Sequence, residues 1–367
     1  MKALLISGVY RPEIGGPATY LPALAQALIK HNFLVEVVTL KNLSSGPINE
    51  KWPVNYVQRD QLLLIRFIKT FLIILKKAQY SNAIFANGLF QETALALLLL
   101  KKKSVAKVVG DPVWERARNK GLTKLNIIEF NRSYLRINQR FQRWLIKWSL
   151  NRFTLITCPS LELKSLIEGW GVTQPIKFIP NGIAPIEKKN YQKQFDVISA
   201  CRLVTWKNLD KLISACAKAN RTLAIVGSGP EELKLKSLAK LLGAKVTFLG
   251  QLSESEVIDY LQKSKVFALL SDYEGLSFSL LQAMASELPS IVSNTKGNTD
   301  VISDGKEGIV VDINYEVSIV DALNFLLDSN DKITSLGKIA LQKVQSEYLQ
   351  ENQINKVIAL ISCEKLI

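Results

Sequence analysis

Two short apolar runs, Val266 to Leu270 and Ser290 to Ser293, bracket a stretch in which Leu280, Leu281 and Met284 recur at helical spacing. The pattern predicts strand, loop, helix, strand. That is a βαβ unit, and it commits the chain to a parallel sheet in an α/β protein. In such sheets ligands sit outside the carboxyl ends of the strands, where a helix N-terminus offers unpaired N–H groups to anionic phosphate. Glu274, Gly275, Leu276 and Ser277 occupy that position.

A chain of 367 residues, 48% hydrophobic with 12 prolines, is long enough for about two globular domains. Cys158, Cys201, Cys216 and Cys363 have neither metal-ligand nor disulfide-framework spacing, which fits a reducing compartment. Met1 to Gly8 carries one lysine and a very short apolar run that meets Tyr10-Arg11-Pro12 at once. It predicts a first strand rather than a signal peptide, and so a cytoplasmic protein. His31 is the only histidine, which excludes a histidine pair or a His-rich metal site. At the end of a helix it suits capping or the surface.

Charge is divided unevenly. Residues 1–180 hold 26 Lys+Arg against 10 Asp+Glu, while residues 181–367 hold 21 against 22. The first half therefore carries the whole excess. A field of one sign calls for an anionic partner: a membrane surface, a phosphorylated lipid or a nucleic acid. No nucleic-acid reader motif accompanies it, and the expectation is an anionic membrane surface and no nucleic acid.

Within that half, Lys2 to Ser7 and Leu34 to Leu40 read as strands around a helix from Pro17 to Lys30, entered through Gly15-Gly16. Leu62 to Gln79 is interrupted by Arg66 and Lys69 and is too short to span a bilayer; a core helix and a surface-lying one both fit. Leu95 to Lys103 is open to the same two readings. Asp111 stands before Pro112 at a strand's carboxyl end, where an aspartate can orient or deprotonate a hydroxyl or simply open a turn. Arg132 to Arg152 reads as one amphipathic helix, with Arg132, Arg136, Arg140, Arg143 and Lys147 on one face and Phe141, Trp144, Leu145 and Trp148 toward another. Such a face suits anionic lipid, or solvent over a core. Ala184 to Gln194 is polar and aperiodic, a linker.

The second half then runs through Cys201-Arg202-Leu203-Val204-Thr205-Trp206-Lys207, Leu223 to Pro230 with its Val226-Gly227 strand end, Val246 to Gly250, and the βαβ unit. This ordered series resembles the retaining family 4 glycosyltransferases of GT-B fold, which carry two glutamates seven residues apart around Glu-Gly-Phe-Gly. Glu274 matches the first glutamate, while Gln282 stands at the second. Gly15-Gly16 and the run Pro180-Asn181-Gly182-Ile183 match the family as well, and Asp111 stands where many members have a histidine.

The resemblance implies two Rossmann-like doubly wound domains facing across a cleft. They would comprise an acceptor domain at 1–183, a linker at 184–194, a donor domain at 195–350, and a last helix at 351–367 returning to the first. It implies transfer of a hexosyl group from a nucleoside diphosphate sugar to an acceptor hydroxyl, on a membrane-associated glycolipid or polysaccharide precursor. Arg202 and Lys207 would grip the diphosphate, and Glu274 the sugar. The Gly275-Leu276-Ser277 backbone would meet the phosphates, position 282 the ribose, and Gly15, Gly16 and Gly227 would lie along the donor. Asp111 would serve the acceptor. Two fixed cations and a helix N-terminus can replace a divalent metal, so no metal or cofactor is expected. Asp272 and Glu274 only loosely resemble an Asp-x-Asp metal motif. The rival expectation is a non-catalytic protein of the same fold that binds a sugar nucleotide or anionic lipid as an assembly partner.

Overall fold

The computed structural model describes residues 1–13, 15–43 and 46–362, and consists of two compact units. Ile14 of the Gly8 to Gly16 loop, Cys363 and the end of the 351–367 segment lie outside the described residues. The first unit comprises Met1–Val113, Ser133–Pro180 and the chain from Glu351; the second comprises Trp114–Arg132 and Asn181–Gln350.

The first unit holds a parallel sheet of β1 (Lys2–Ser7), β2 (Leu34–Lys41), β3 (Val54–Gln58), β4 (Ala83–Asn87), β5 (Lys103–Lys107), β6 (Leu155–Cys158) and β7 (Ile176–Phe178). Their spatial order is β3-β2-β1-β4-β5-β6-β7, all pairs parallel. The sequence up to β7 also forms helices α1 (Gly16–Lys30), α2 (Leu63–Gln79), α3 (Phe90–Leu99), α4 (Pro112–Asn119), α5 (Ile127–Arg132), α6 (Ile137–Leu150) and α7 (Leu161–Gly169). Pro17 sits in the first turn of α1, where its missing N–H costs nothing. β1 is apolar on both faces and buried from Ala3 to Ser7, as a central parallel strand must be.

The second unit holds β8 (Phe195–Ala200), β9 (Leu223–Val226), β10 (Val246–Gly250), β11 (Ser264–Leu269), β12 (Ser290–Ser293) and β13 (Gly308–Val311) in the order β10-β9-β8-β11-β12-β13. Between and after them run a 3-10 turn at Thr205–Lys207, then α8 (Leu209–Lys218), α9 (Glu232–Leu241), α10 (Glu254–Gln262), α11 (Phe278–Ala285), α12 (Lys296–Thr299), α13 (Glu316–Leu327), α14 (Asn330–Glu347) and α15 (Gln350–Ser362), the last counted with the first unit from Glu351. Alternate residues of each strand feed two separate cores. Val197, Ile225, Val266 and Ile291 pack on one face, and Ile198, Ala224, Phe267 and Val292 on the other. Strand period 2 and burial on both faces together make the sheet a middle layer between helices. Each unit is thus a Rossmann-like domain.

Three features differ from the sequence reading. Residues 114–132 belong to the second unit rather than to a domain spanning 1–183, because Trp114 is packed wholly out of solvent beside Trp206 and Tyr273. The expected helix from Arg132 to Arg152 is two: α5 ends at Arg132, and α6 restarts after Arg136, whose backbone N–H donates to Gln139 Oε1 at 2.9 Å. The segment 184–194 lacks helix or strand but is fastened to α10, with Lys189 N donating to Gln262 Oε1 at 2.8 Å and Gln262 Nε2 donating to the Glu187 carbonyl at 2.9 Å.

Candidate functional site

In the second unit the strand order reverses between β8 and β11, and the loops leaving those two strands flank the switch point. This is where a doubly wound sheet opens a crevice for ligand. The loop after β8 carries Arg202 and Lys207; the loop after β11 carries Asp272, Tyr273 and Glu274 and runs into α11.

The two loops are tied together at several points. Asp272 N donates to the Trp206 carbonyl at 2.8 Å. Asn208 sits at φ 49°, a left-handed conformation that asparagine tolerates, and its amide donates to the Leu270 carbonyl at 2.8 Å and to Asp272 Oδ1 at 2.7 Å. Between these ties the Lys207 ammonium forms an ion pair with Glu274 Oε1. That oxygen also accepts from Ser271 Oγ at 2.5 Å. Burial pulls the Lys207 pKa down, but Glu274 and Cys201 outweigh it and hold the pKa above the ordinary lysine value. Arg202 is solvent-exposed; its carbonyl accepts from Val204 N at 2.9 Å, and its guanidinium has no hydrogen bond or ion pair among the described residues. A sequestered cation locked to a carboxylate and a free guanidinium therefore leave the same loop.

Glycine is required where backbone meets backbone. A Cβ at Gly227, whose φ is 128°, would lie 2.0 Å from the Cys201 carbonyl oxygen, and one at Gly297 would lie 1.9 Å from that of Glu274. Gly227 thus keeps the β8 and β9 loops in register. Gly275 and Leu276 are buried; the Leu276 carbonyl accepts from Asn181 Nδ2 at 2.9 Å, and Ser277 caps α11 by accepting from Leu280 N at 3.3 Å. Gln282, in the second turn of α11, donates to Glu254 Oε1 at 3.2 Å. Sequence reasoning missed Asn208, Trp114 and Arg118. Arg118 Nη2 donates to Asp272 Oδ2 at 2.5 Å, so the Asp272 carboxylate is engaged by an arginine and an asparagine. No local signal marks a partner 154 residues away in sequence.

The first unit holds Gly15 and Gly16 at the start of α1, beyond the carboxyl end of β1. Asp111 has no exposed surface. Its Oδ1 accepts from Val113 N at 3.0 Å and its Oδ2 from Arg143 Nη2 at 2.6 Å, and the Arg143 guanidinium lies 4.3 Å from the Trp170 ring centroid. This geometry suits a turn opener and an anchor rather than a group poised to take a proton from an acceptor, and it withdraws Arg143 from the basic face expected on α6. α6 still presents Arg140 and Lys147, both exposed, and between them apolar surface: Ile137, Phe141 and Trp144 are more than half exposed, with Phe141 and Trp144 stacked at 5.9 Å. On α2, Leu63, Leu64, Ile68 and Leu72 are exposed beside Lys69 and Lys76. Among the described residues, no helix is long and apolar enough to cross a membrane.

The family model "Glycosyltransferase Family 4" matches residues 14–186 and "Glycosyl transferases group 1" matches residues 184–343. The chain belongs to the family 4 glycosyltransferases of GT-B fold. The chain is 28% identical, over 55% of its length and 56% of the relative's, to the GDP-mannose-dependent alpha-(1-6)-phosphatidylinositol monomannoside mannosyltransferase of Mycobacterium tuberculosis. It spans little more than half the length of the curated relatives it matches. In fold it is similar to the sucrose-phosphate synthase of Thermosynechococcus elongatus, with TM-score 0.80 and 19% identity, covering 99% of this chain and 98% of that one. It is likewise similar to Anabaena HepE, solved in complex with UDP and glucose, with TM-score 0.81 and 17% identity, covering 99% and 100%.

Proposed function

We propose that the protein transfers a hexosyl group from a nucleoside diphosphate sugar to a hydroxyl of a membrane-associated glycolipid or polysaccharide precursor, with retention at the anomeric carbon. The observation that carries the reading is the ion pair of Lys207 with Glu274 at the switch point between β8 and β11, beside the unpaired guanidinium of Arg202. Arg202 and Lys207 take the charge that develops on the departing diphosphate, together with the α11 N-terminus, in place of a divalent metal. Glu274, held by Lys207 and Ser271, accepts from the sugar hydroxyls. The donor's negative charges replace part of what Glu274 gives Lys207, so the pair is poised to share its cation with the leaving group.

The name of the mycobacterial relative speaks for a lipid-borne acceptor. So does the first unit, where the stacked Phe141 and Trp144 and the apolar side of α2 lie among lysines and arginines. Aromatic rings at headgroup depth with a basic rim fit adsorption to anionic lipid on the inner face of the cytoplasmic membrane.

The test is a screen of the purified protein against UDP-, GDP-, ADP- and TDP-sugars, with and without anionic vesicles, following nucleoside diphosphate release and thermal stabilisation. Release from one donor, enhanced by anionic vesicles, is expected. Stabilisation by a nucleotide without release from any donor would replace this reading with the non-catalytic one, which Gln282 in place of a glutamate favours.

A further inference from the structure

Glu254 opens α10, directly beyond the carboxyl end of β10, so it lies at the same end of the sheet as Arg202, Lys207 and Glu274. Capping does not require it: Ser253 and Glu256 cap the helix, Glu256 N donating to Ser253 Oγ at 3.4 Å and Ser253 N to Glu256 Oε2 at 2.8 Å. Among the described residues Glu254 has no cationic partner, and its side chain's single hydrogen bond is the one its Oε1 accepts from Gln282 Nε2 at 3.2 Å. Gln282 is nine-tenths buried and its own position is fixed by α11. A neutral amide thus orients an exposed carboxylate without neutralising it, and leaves Oε2 open.

The spacing gives that carboxylate a ligand. Gln282 lies five residues along α11 from Ser277, roughly 7–8 Å at the helical rise, which is about the reach from a diphosphate at the helix N-terminus to the nucleoside sugar. In doubly wound domains a carboxylate beside the phosphate crevice accepts from ribose hydroxyls. Resting on the nucleotide-sugar reading above, we infer that Glu254, oriented by Gln282, accepts the ribose hydroxyls of the donor, so that the carboxylate function sits on α10 and the amide on α11. Two carboxylates at this separation repel. Gln282→Glu alone therefore weakens the site rather than improving it, and exchanging the two residues restores it.

The experiment measures calorimetric affinity for UDP and GDP and for their 2′-deoxy counterparts, in the unaltered protein, Glu254→Ala, Gln282→Glu and the double exchange Glu254→Gln with Gln282→Glu. Circular dichroism confirms the fold of each. The unaltered protein should prefer the ribose form of its nucleotide. Glu254→Ala should lose about 10- to 100-fold in affinity for that form, the cost of a hydrogen bond to a charged group, and lose less for the deoxy form, which offers the carboxylate only its 3′-hydroxyl. Gln282→Glu should also bind the ribose form more weakly, and the double exchange should recover most of the loss. An unchanged ribose preference in Glu254→Ala, or a double exchange weaker than either single variant, overturns the assignment alone. Failure of the unaltered protein to bind UDP or GDP, together with no stabilisation by ADP or TDP, overturns the nucleotide-sugar reading and this assignment with it.

Discussion

The Trp114 indole packs against that of Trp206 with ring centroids 5.4 Å apart and lies 5.7 Å from the ring of Tyr273. Trp206 immediately precedes Lys207 and Tyr273 immediately precedes Glu274, so one buried ring braces both loops of the candidate site. Trp114→Ala should cost about 3–5 kcal/mol of stability and weaken nucleotide binding with it, while Trp114→Phe keeps most of both. Denaturant unfolding in parallel with nucleotide calorimetry checks the pair. A Trp114→Ala protein as stable as the parent would show that the ring does not brace the loops.

Arg202 and Lys207 should part company when each is truncated. Arg202→Ala removes an exposed, unpaired side chain, and its stability should stay within about 0.5 kcal/mol of the parent while turnover falls by about 10²–10³. Lys207→Ala strands the Glu274 carboxylate, which is only 8% exposed, and should cost roughly 3–5 kcal/mol in stability as well. Urea unfolding combined with donor turnover separates the two, and full turnover in Arg202→Ala would remove it from the diphosphate.

Asp111→Asn tests an anchor against a proton acceptor. Removing the charge takes an anionic partner from Arg143 and should destabilise the first unit by about 3–5 kcal/mol, with turnover per folded molecule and the pH–rate profile unchanged. Arg143→Met added to it should recover part of the loss. A large fall in turnover with intact stability would return Asp111 to the chemistry.

Lys107 gives a pH signature. Its ammonium is fully buried at the end of β5, 4.2 Å from the Tyr20 ring centroid, and neither Lys107 Nζ nor the Tyr20 hydroxyl has a hydrogen-bond partner among the described residues. Burial lowers its pKa from 10.5 to about 8, against a smaller upward pull from Cys158. The unfolded chain holds this proton to higher pH than the folded one, so between these two values the unfolded state binds more protons and stability rises with pH. Below the folded value both states are protonated and the slope vanishes. Each unit of difference is worth about 1.4 kcal/mol. Lys107→Met should abolish the alkaline rise and stabilise the protein at neutral pH, as read from denaturant midpoints across pH 7 to 10.

Much of this molecule was legible in its residues. The run Lys2 to Ser7 is β1, the helix expected from Pro17 is α1 within one residue, and the apolar pattern from Val266 to Ser293 is β11, α11 and β12. Strand and helix periods are local properties, and burial on both faces of a parallel strand writes itself as an unbroken apolar run. Short elements with mixed composition, β3, α4 and α5, gave no such signal. The break at residues 133–136 was hidden because a basic and aromatic sequence keeps helical spacing across it.

The candidate site divides in the same way. Arg202, Lys207 and Glu274 could be named from their order along the chain, because the loops that carry them follow strands that periodicity reveals. What each side chain does was decided elsewhere. The pairing of Lys207 with Glu274, of Asp111 with Arg143, of Arg118 with Asp272 and of Gln282 with Glu254 joins residues 28 to 154 positions apart. Sequence fixes which residues sit at strand ends, since that depends on hydrogen-bond ladders and hydrophobic period a few residues long. Which charge is buried, shared or left open to a ligand depends on what the fold brings within hydrogen-bonding distance of it, and only the tertiary structure sets that.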